Sequence, residues 1–151
     1  MMKIRTANKF DLPYIVEMLR HFRDASPIPK IKECNNEAYI NTLYHGILVG
    51  NGIAVVAEAD KPIGMIMGYI TPSIWDPDML ILNELVYWVE PEHRNTTAGY
   101  RLLATYNNMA KELLNKNKIH MFTMNKMINS PDLDFSKFGY RKIEEVWVAG
   151  A

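Results

Sequence analysis

The run Leu80-Ile81-Leu82-Asn83-Glu84-Leu85-Val86-Tyr87-Trp88-Val89 passes through Glu90-Pro91-Glu92-His93-Arg94-Asn95-Thr96-Thr97 into Ala98–Leu114, and its reading decides the fold. The first segment is rich in β-branched and aromatic residues and predicts a strand. The second is polar and carries Pro91, which predicts a turn. The third sets Ala98, Leu102, Tyr106, Met109 and Leu113 along one face, with Leu103 and Ala110 beside them. That spacing predicts an amphipathic helix lying on a sheet. A turn that ends a strand and opens a helix gathers backbone N–H groups with no intrahelical acceptor at the positive end of a helix dipole. Such a place suits an anion, and a phosphate above all.

Upstream, Lys3–Thr6 predicts a short strand. Asn8 or Thr6 can cap the helix that follows, with Asp11 and Pro13 in its first turn and Leu12, Ile15, Val16, Leu19 and Phe22 as its apolar set. Ser26-Pro27-Ile28-Pro29 ends it as a loop. A second helix is predicted over Asn36–Val49, closed by Gly50-Asn51-Gly52. Ile53–Glu58 and Ile63–Thr71, joined by a short turn, read as an antiparallel hairpin, to which Leu80–Val89 adds a third antiparallel strand. Downstream, Ile119–Met124 is a strand that a helical crossover places parallel to Leu80–Val89. Ser130-Pro131-Asp132 starts a short helix ending at Phe138-Gly139, and Arg141–Val148 is the last strand. The order β-α-α-β-β-β-α-β-α-β predicts a mixed, mostly antiparallel sheet flanked by helices, an α+β (α/β sandwich) fold in one domain over 1–151. It is not the regular alternation of a doubly wound nucleotide-binding fold.

The totals exclude several classes. Seventeen basic and seventeen acidic residues cancel, so no global field favours nucleic acid or an anionic membrane. Cys34 is the single cysteine, which precludes an intrachain disulfide, and the four histidines show no metal-ligand spacing. The longest apolar run, Ile63–Ile70, is far short of the roughly 20 residues that span a bilayer. The expectation is a cytoplasmic protein that needs no metal.

The residues around the turn resemble a known family. Val89-Glu90-Pro91-Glu92-His93-Arg94, then Asn95 to Gly99, then a helix with paired Leu102-Leu103, resembles the signature of the GCN5-related N-acetyltransferases (GNAT). Lys137-Phe138-Gly139-Tyr140 is similar to a second mark of the family, and Glu84–Val89 looks most like small members encoded by tailed bacteriophages. The resemblance covers nearly the whole chain. It implies an acyl-CoA-dependent N-acyltransferase acting with acetyl-CoA on a primary amine of a small molecule or protein. It also implies that the pyrophosphate of coenzyme A lies on Arg94, Asn95, Thr96, Thr97, Ala98, Gly99 and Arg101. The backbone of a splayed or bulged fourth strand, around Trp88 and Val89, would meet the thioester and its pantetheine arm. The family usually ends in a hairpin of two strands where this chain has one, and the open edge predicts a homodimer.

Three positions depart from the family pattern. Asn95 and Thr97 stand where glycine is common, and Phe135 stands where many members carry a tyrosine that protonates the leaving thiolate. Acyl transfer still needs a neutral amine, a placed carbonyl and a stabilised oxyanion. Glu84, in an otherwise apolar strand, is the candidate base. A Glu on the wet face of an antiparallel strand is the simpler alternative. Tyr106, Ser136 and Tyr140 are the hydroxyls that can replace the missing acid. Tyr69, Trp75, Tyr87 and Trp88 can form an aromatic acceptor site for an ammonium, or pack the core. The alternative function is a catalytically silent protein of this fold that binds coenzyme A or a partner protein.

Overall fold

The computed structural model describes residues 2–131 and 133–151, so Asp132, expected in the first turn of a helix, lies outside the described residues. Five strands form one sheet in the order β1-β2-β3-β4-β5: β1 Lys3–Thr6, β2 Gly52–Glu58, β3 Pro62–Pro72, β4 Leu80–Val89 and β5 Met121–Thr123. The first four are antiparallel to their neighbours, and β5 runs parallel to β4. Parallel pairing requires a crossover, supplied by the helix that follows β4. The fold is therefore mixed α+β, as the order of elements predicts.

Helices α1 Leu12–Asp24 and α3 Glu37–Gly46 cover one face of the sheet, with α2 Pro29–Lys32 between them in sequence, and α4 Ala98–Asn115 covers the other. Alternation along the strands feeds two cores. Val55, Ala57, Ile66 and Leu82 meet Leu102, Leu103, Tyr106 and Ala110 of α4. Ala54, Val56, Met65, Met67, Val86 and Trp88 meet Ile15, Met18 and Tyr44. Strands β2 and β3 are buried on both faces, which explains their near-continuous apolar runs. Asn8 caps the start of the first helical segment, accepting from the Phe10 N–H at 2.9 Å, while the Asp11 carboxylate accepts from the Asn8 N–H at 2.8 Å.

Several boundaries differ from the sequence reading. The proline-rich segment after α1 contains the short helix α2, because Pro29 occupies the first helical position, where its missing N–H costs nothing. The second expected helix is regular only to Gly46, and a wider turn over Ile47–Asn51 carries the chain through Gly50 at φ +115° into β2. The helix expected from Ser130 is a single 3-10 turn, Phe135–Phe138, capped by the Asp134 side chain. The largest difference is at the end of the chain. Arg141–Val148, expected as the last strand, forms no strand, and every residue from 141 to 151 is exposed. A strand exists only where a neighbour takes its backbone hydrogen bonds, and here no strand among the described residues pairs with it.

Candidate functional site at the β4–β5 fork

The pairing of β5 with β4 ends at Asn83↔Thr123, while β4 continues to Val89. From Glu84 onward the outer edge of β4 has no strand neighbour among the described residues, and the two strands part as a fork. Asn125 bridges the mouth of this fork. Its side-chain amide donates to the Glu84 carbonyl at 3.0 Å, and its backbone N–H and side chain donate to the Glu84 carboxylate at 3.4 Å.

The fourth strand is splayed along an outer edge that includes Trp88 and Val89, and it is bulged upstream of them. Met67 pairs with Val86 and Gly68 with Glu84, so Leu85 is the extra residue, not Trp88 or Val89. A bulge leaves one residue outside the ladder and reverses the alternation of side chains beyond it. Leu82 and Val89 accordingly pack on the α4 side, and Val86 and Trp88 on the α1–α3 side. Leu85 and Val86 together line a groove of about 400 Å³ on that second side. The groove is walled by Leu19, Phe22, Ile40 and Leu43, and its charged Arg20 and Glu37 are bound to each other.

Glu84 is 7% exposed, which excludes the wet-face alternative. Burial pushes its carboxyl up to about 7, against the lowering effect of the two donors of Asn125. Three phenols lie within reach of its field. Those of Tyr87, Tyr106 and Tyr140 are raised first by burial and then by the Glu84 charge. The Tyr106 hydroxyl sits against the Cα of Gly68, where a Cβ would come within 2.1 Å of it. Only glycine permits that approach. This hydroxyl is buried with no hydrogen-bond partner among the described residues. Tyr106→Phe is therefore expected to raise stability by about 1–3 kcal/mol, read from urea unfolding. A loss of stability would show that the hydroxyl has a partner after all.

The Tyr140 hydroxyl donates to Asn107 Oδ1 at 2.5 Å, and its ring packs edge-on to Phe122 at 5.6 Å. Ser136 is turned away, donating to Asp134 at 2.5 Å. Of the three hydroxyls expected as substitute acids, Tyr106 and Tyr140 lie near Glu84. Phe135 is packed against Tyr140 at 6.0 Å.

At the far end of β4 the chain turns through Pro91–His93 into α4. Asn95, Thr96 and Thr97 are exposed, Gly99 is half-buried and Ala98 is buried. None of them needs a left-handed backbone: Thr97 has φ −82°, and the one non-glycine residue with positive φ among those described is Asn117. The glycines missing from this turn are therefore not required by its conformation. The Thr96 hydroxyl donates to the His93 carbonyl at 2.6 Å and accepts from the Ala98 N–H at 3.2 Å. As first-turn groups, the N–H groups of Gly99 and Tyr100 have no intrahelical acceptor. Gly99 lies close to β4: its carbonyl accepts from Tyr87, and a Cβ there would stand 3.4 Å from that phenol.

Arg94 flanks the same turn and is exposed. Its Nε donates to the Val89 carbonyl at 2.8 Å and its guanidinium lies over the Trp88 ring at 4.4 Å, contacts that shape the turn. Arg101 is exposed and reaches the Met2 carbonyl at 3.4 Å.

The aromatic acceptor site does not assemble. Trp75 is exposed in its loop, Tyr87 faces α4, and Trp88 faces α1, where it meets Phe22 edge-on at 5.9 Å. Sequence reasoning also missed a contact between elements. His21 of α1 meets Glu90 at 2.8 Å, and Glu90 also accepts from the Trp88 indole at 3.1 Å. The hydrogen bond to Glu90 raises the His21 pKa above its ordinary value. A separation of 69 positions between the two residues leaves no local signal that could have revealed it.

No helix among the described residues is long and apolar enough to cross a membrane. No protein-family model matches the chain, and no curated protein matches it. Solved structures do match. An acetyltransferase of Trypanosoma brucei superposes over 100% of both chains, with a TM-score of 0.70 and 15% identity. A predicted acetyltransferase with acetyl-CoA from Clostridium acetobutylicum gives 0.73 at 16% identity, over 99% of this chain and 96% of the other. Glucosamine-6-phosphate N-acetyltransferase of Arabidopsis thaliana gives 0.71 at 12%, over 99% and 97%. Across full-length matches at such low identity, what is shared is the fold, and this chain has the fold of the GCN5-related N-acetyltransferases.

Proposed function

We propose that the protein is an acyl-CoA-dependent N-acyltransferase that moves acetyl from acetyl-CoA to a primary amine. The observation that carries this reading is the unpaired edge of β4, which leads from buried Glu84 at the fork to the opening turn of α4. A pantetheine arm is amide-bearing and extended, so it can add to an open edge as a further strand would. The pyrophosphate at its end would then meet the turn Asn95–Gly99, with the first-turn N–H groups and the exposed Arg101 as donors. The Leu85 bulge, in place of Trp88 and Val89, would turn backbone N–H groups toward the thioester oxygen. Glu84 would take the proton of the amine, directly or through water, and the Tyr106 and Tyr140 phenols beside it are the groups able to return a proton to the thiolate. The acceptor would enter along the groove of Leu85 and Val86.

The reading is tested by thermal unfolding with acetyl-CoA. A ligand that binds only the folded state, at 100 times its dissociation constant, adds about 2.7 kcal/mol, which is the expected stabilisation. No shift at saturating ligand would rule out both this reading and that of a silent coenzyme A carrier. The second reading, a catalytically silent protein of the same fold, is favoured by one observation: Phe135 occupies the usual acid position, and Tyr140 is already bonded to Asn107. Binding of acetyl-CoA without consumption of it across a panel of amines would establish that reading.

A further inference from the structure

The groove on the α1–α3 side of the sheet has a narrower chemistry than amines in general would need. Its volume, about 400 Å³, lies within the usual range of small-molecule sites. Leu19 and Phe22 of α1, Ile40 and Leu43 of α3, and Leu85 and Val86 of β4 form its walls. Leu85, the extra residue of the bulge, is 41% exposed, so apolar surface is left open to a ligand. Leu85 and Val86 directly follow Glu84, which joins the groove to the candidate base through one strand.

The charged residues that line the groove already have opposite charges. Arg20 of α1 is bound to Glu37 of α3. The Arg23 Nε donates to Asp24 at 3.0 Å, and its Nη1 donates to the Cys34 carbonyl at 2.7 Å. Polar groups are used locally as well. The Tyr44 hydroxyl donates to the Asn8 carbonyl at 2.6 Å, and the Asn36 side chain accepts from the Tyr39 N–H at 3.0 Å. Among the described residues of the lining, no carboxylate or guanidinium lacks an opposite charge. A second charge brought into such a place is costly to desolvate, whereas an apolar chain is favoured there.

We propose that the acceptor is a primary amine on an apolar body, an alkylamine or aralkylamine with no second charge, seated in this groove. The proposal rests on the acyl-transfer reading and narrows it to one class of amine. In the transfer the amine nitrogen bonds the acetyl carbonyl carbon as the carbon–sulfur bond breaks. The proton that the nitrogen loses to Glu84 is matched by one gained by the coenzyme A sulfur. The apolar body stays in the groove and takes no part in the chemistry.

The test compares butylamine, hexylamine, hexamethylenediamine and aminocaproate as acceptors with acetyl-CoA. Binding of each is also measured to the protein saturated with coenzyme A, which has no acetyl group to give. Hexylamine is expected to exceed butylamine by about tenfold in kcat/KM and in affinity, at about three- to fourfold for each added methylene. The diamine and the amino acid match hexylamine in chain length, and both are expected to fall about a hundredfold below it. In Arg20→Ala the Glu37 carboxylate loses its partner and can accept from the far ammonium of the diamine. The gap between diamine and hexylamine is then expected to close by about tenfold. The side chains of the pair are 49% and 50% exposed, so the fold survives its loss. Acetylation with no preference for hexylamine over the diamine would overturn the proposal and leave acyl transfer standing. Hexylamine bound but never acetylated would overturn it too, since hexylamine would then be no acceptor. No stabilisation by acetyl-CoA would remove the acyl-transfer reading, and this proposal with it.

Discussion

Replacing Glu84 by Gln is expected to lower kcat/KM for amine acetylation by about 10²- to 10⁴-fold at about pH 8, the usual contribution of a placed general base. From sequence, the loss would be expected to be greatest at low pH, where the free amine is scarcest. Burial reverses this. With its pKa at about 7, Glu84 is itself protonated in acid and cannot accept a proton there. The window in which it matters opens above about 7 and extends toward the pKa of an alkylammonium, about 10.4. The wild-type rate should therefore rise through pH 7 while the Gln variant stays low, and the two should converge in acid. Equal kcat/KM values at every pH would remove Glu84 as the base. The same substitution should make the protein more stable. Folding favours the protonated form of Glu84, so its contribution is fully present below its ordinary value of 4.5 and is lost as pH rises through about 7. A shift of this size corresponds to about 3 kcal/mol, which the non-ionising Gln side chain would not lose above pH 7. Urea unfolding at about pH 5 and pH 8 reads this difference. Loss of activity together with a gain in stability is the signature of a group kept for chemistry at the expense of folding.

Arg5→Ala is expected to destabilise the fold by about 3–5 kcal/mol at neutral pH, because it leaves the Asp11 carboxylate buried without its countercharge. The Arg5 guanidinium donates to both oxygens of Asp11 at 2.8 Å and to Glu58 at 3.0 Å, and Asp11 is 4% exposed. Burial alone would raise the Asp11 pKa, but the bonds from Arg5 and from the Asn8 N–H outweigh it and hold the group below its ordinary value of 3.8. A depressed carboxylate stabilises the fold above its ordinary pKa, and that stability is lost as pH falls through the depressed value. The cost of Arg5→Ala should therefore shrink in acid, where the orphaned Asp11 takes up a proton. A cost below about 1 kcal/mol at neutral pH would show that the bond to Asn8 alone satisfies Asp11. The bridge links β1, the start of α1 and β2, so it fixes how the α1 layer sits on the sheet.

Much of the fold was legible because it depends on local period and local stops. β1 and β4 were read to the residue, and β2, β3 and α4 to within one, since alternation, paired leucines and Gly/Pro punctuation all act over a few neighbours. The position of the candidate site was also legible, as a strand–turn–helix with a lone Glu in the strand. Its geometry was less so. The bulge at Leu85 has no glycine or proline to announce it, because it arises from how β3 and β4 keep register over their whole length. The contacts of Arg94 with the Trp88 ring and the Val89 carbonyl were not legible either. The aromatic residues near one another in sequence are distributed to opposite faces by strand alternation and the bulge. His21 and Glu90 meet for the opposite reason, because packing joins positions far apart in the chain.

By itself the sequence determined β1 to β4, α1, α4 and their order, all consequences of short-range backbone preference and hydrophobic period. Tertiary structure alone decided the ionisation of Glu84, since burial raises its pKa and Asn125, 41 positions away, opposes that rise. It also decided that Arg141–Val148 is no strand within this fold. Strand character in a sequence is a preference, and it becomes a strand only when another edge takes its hydrogen bonds.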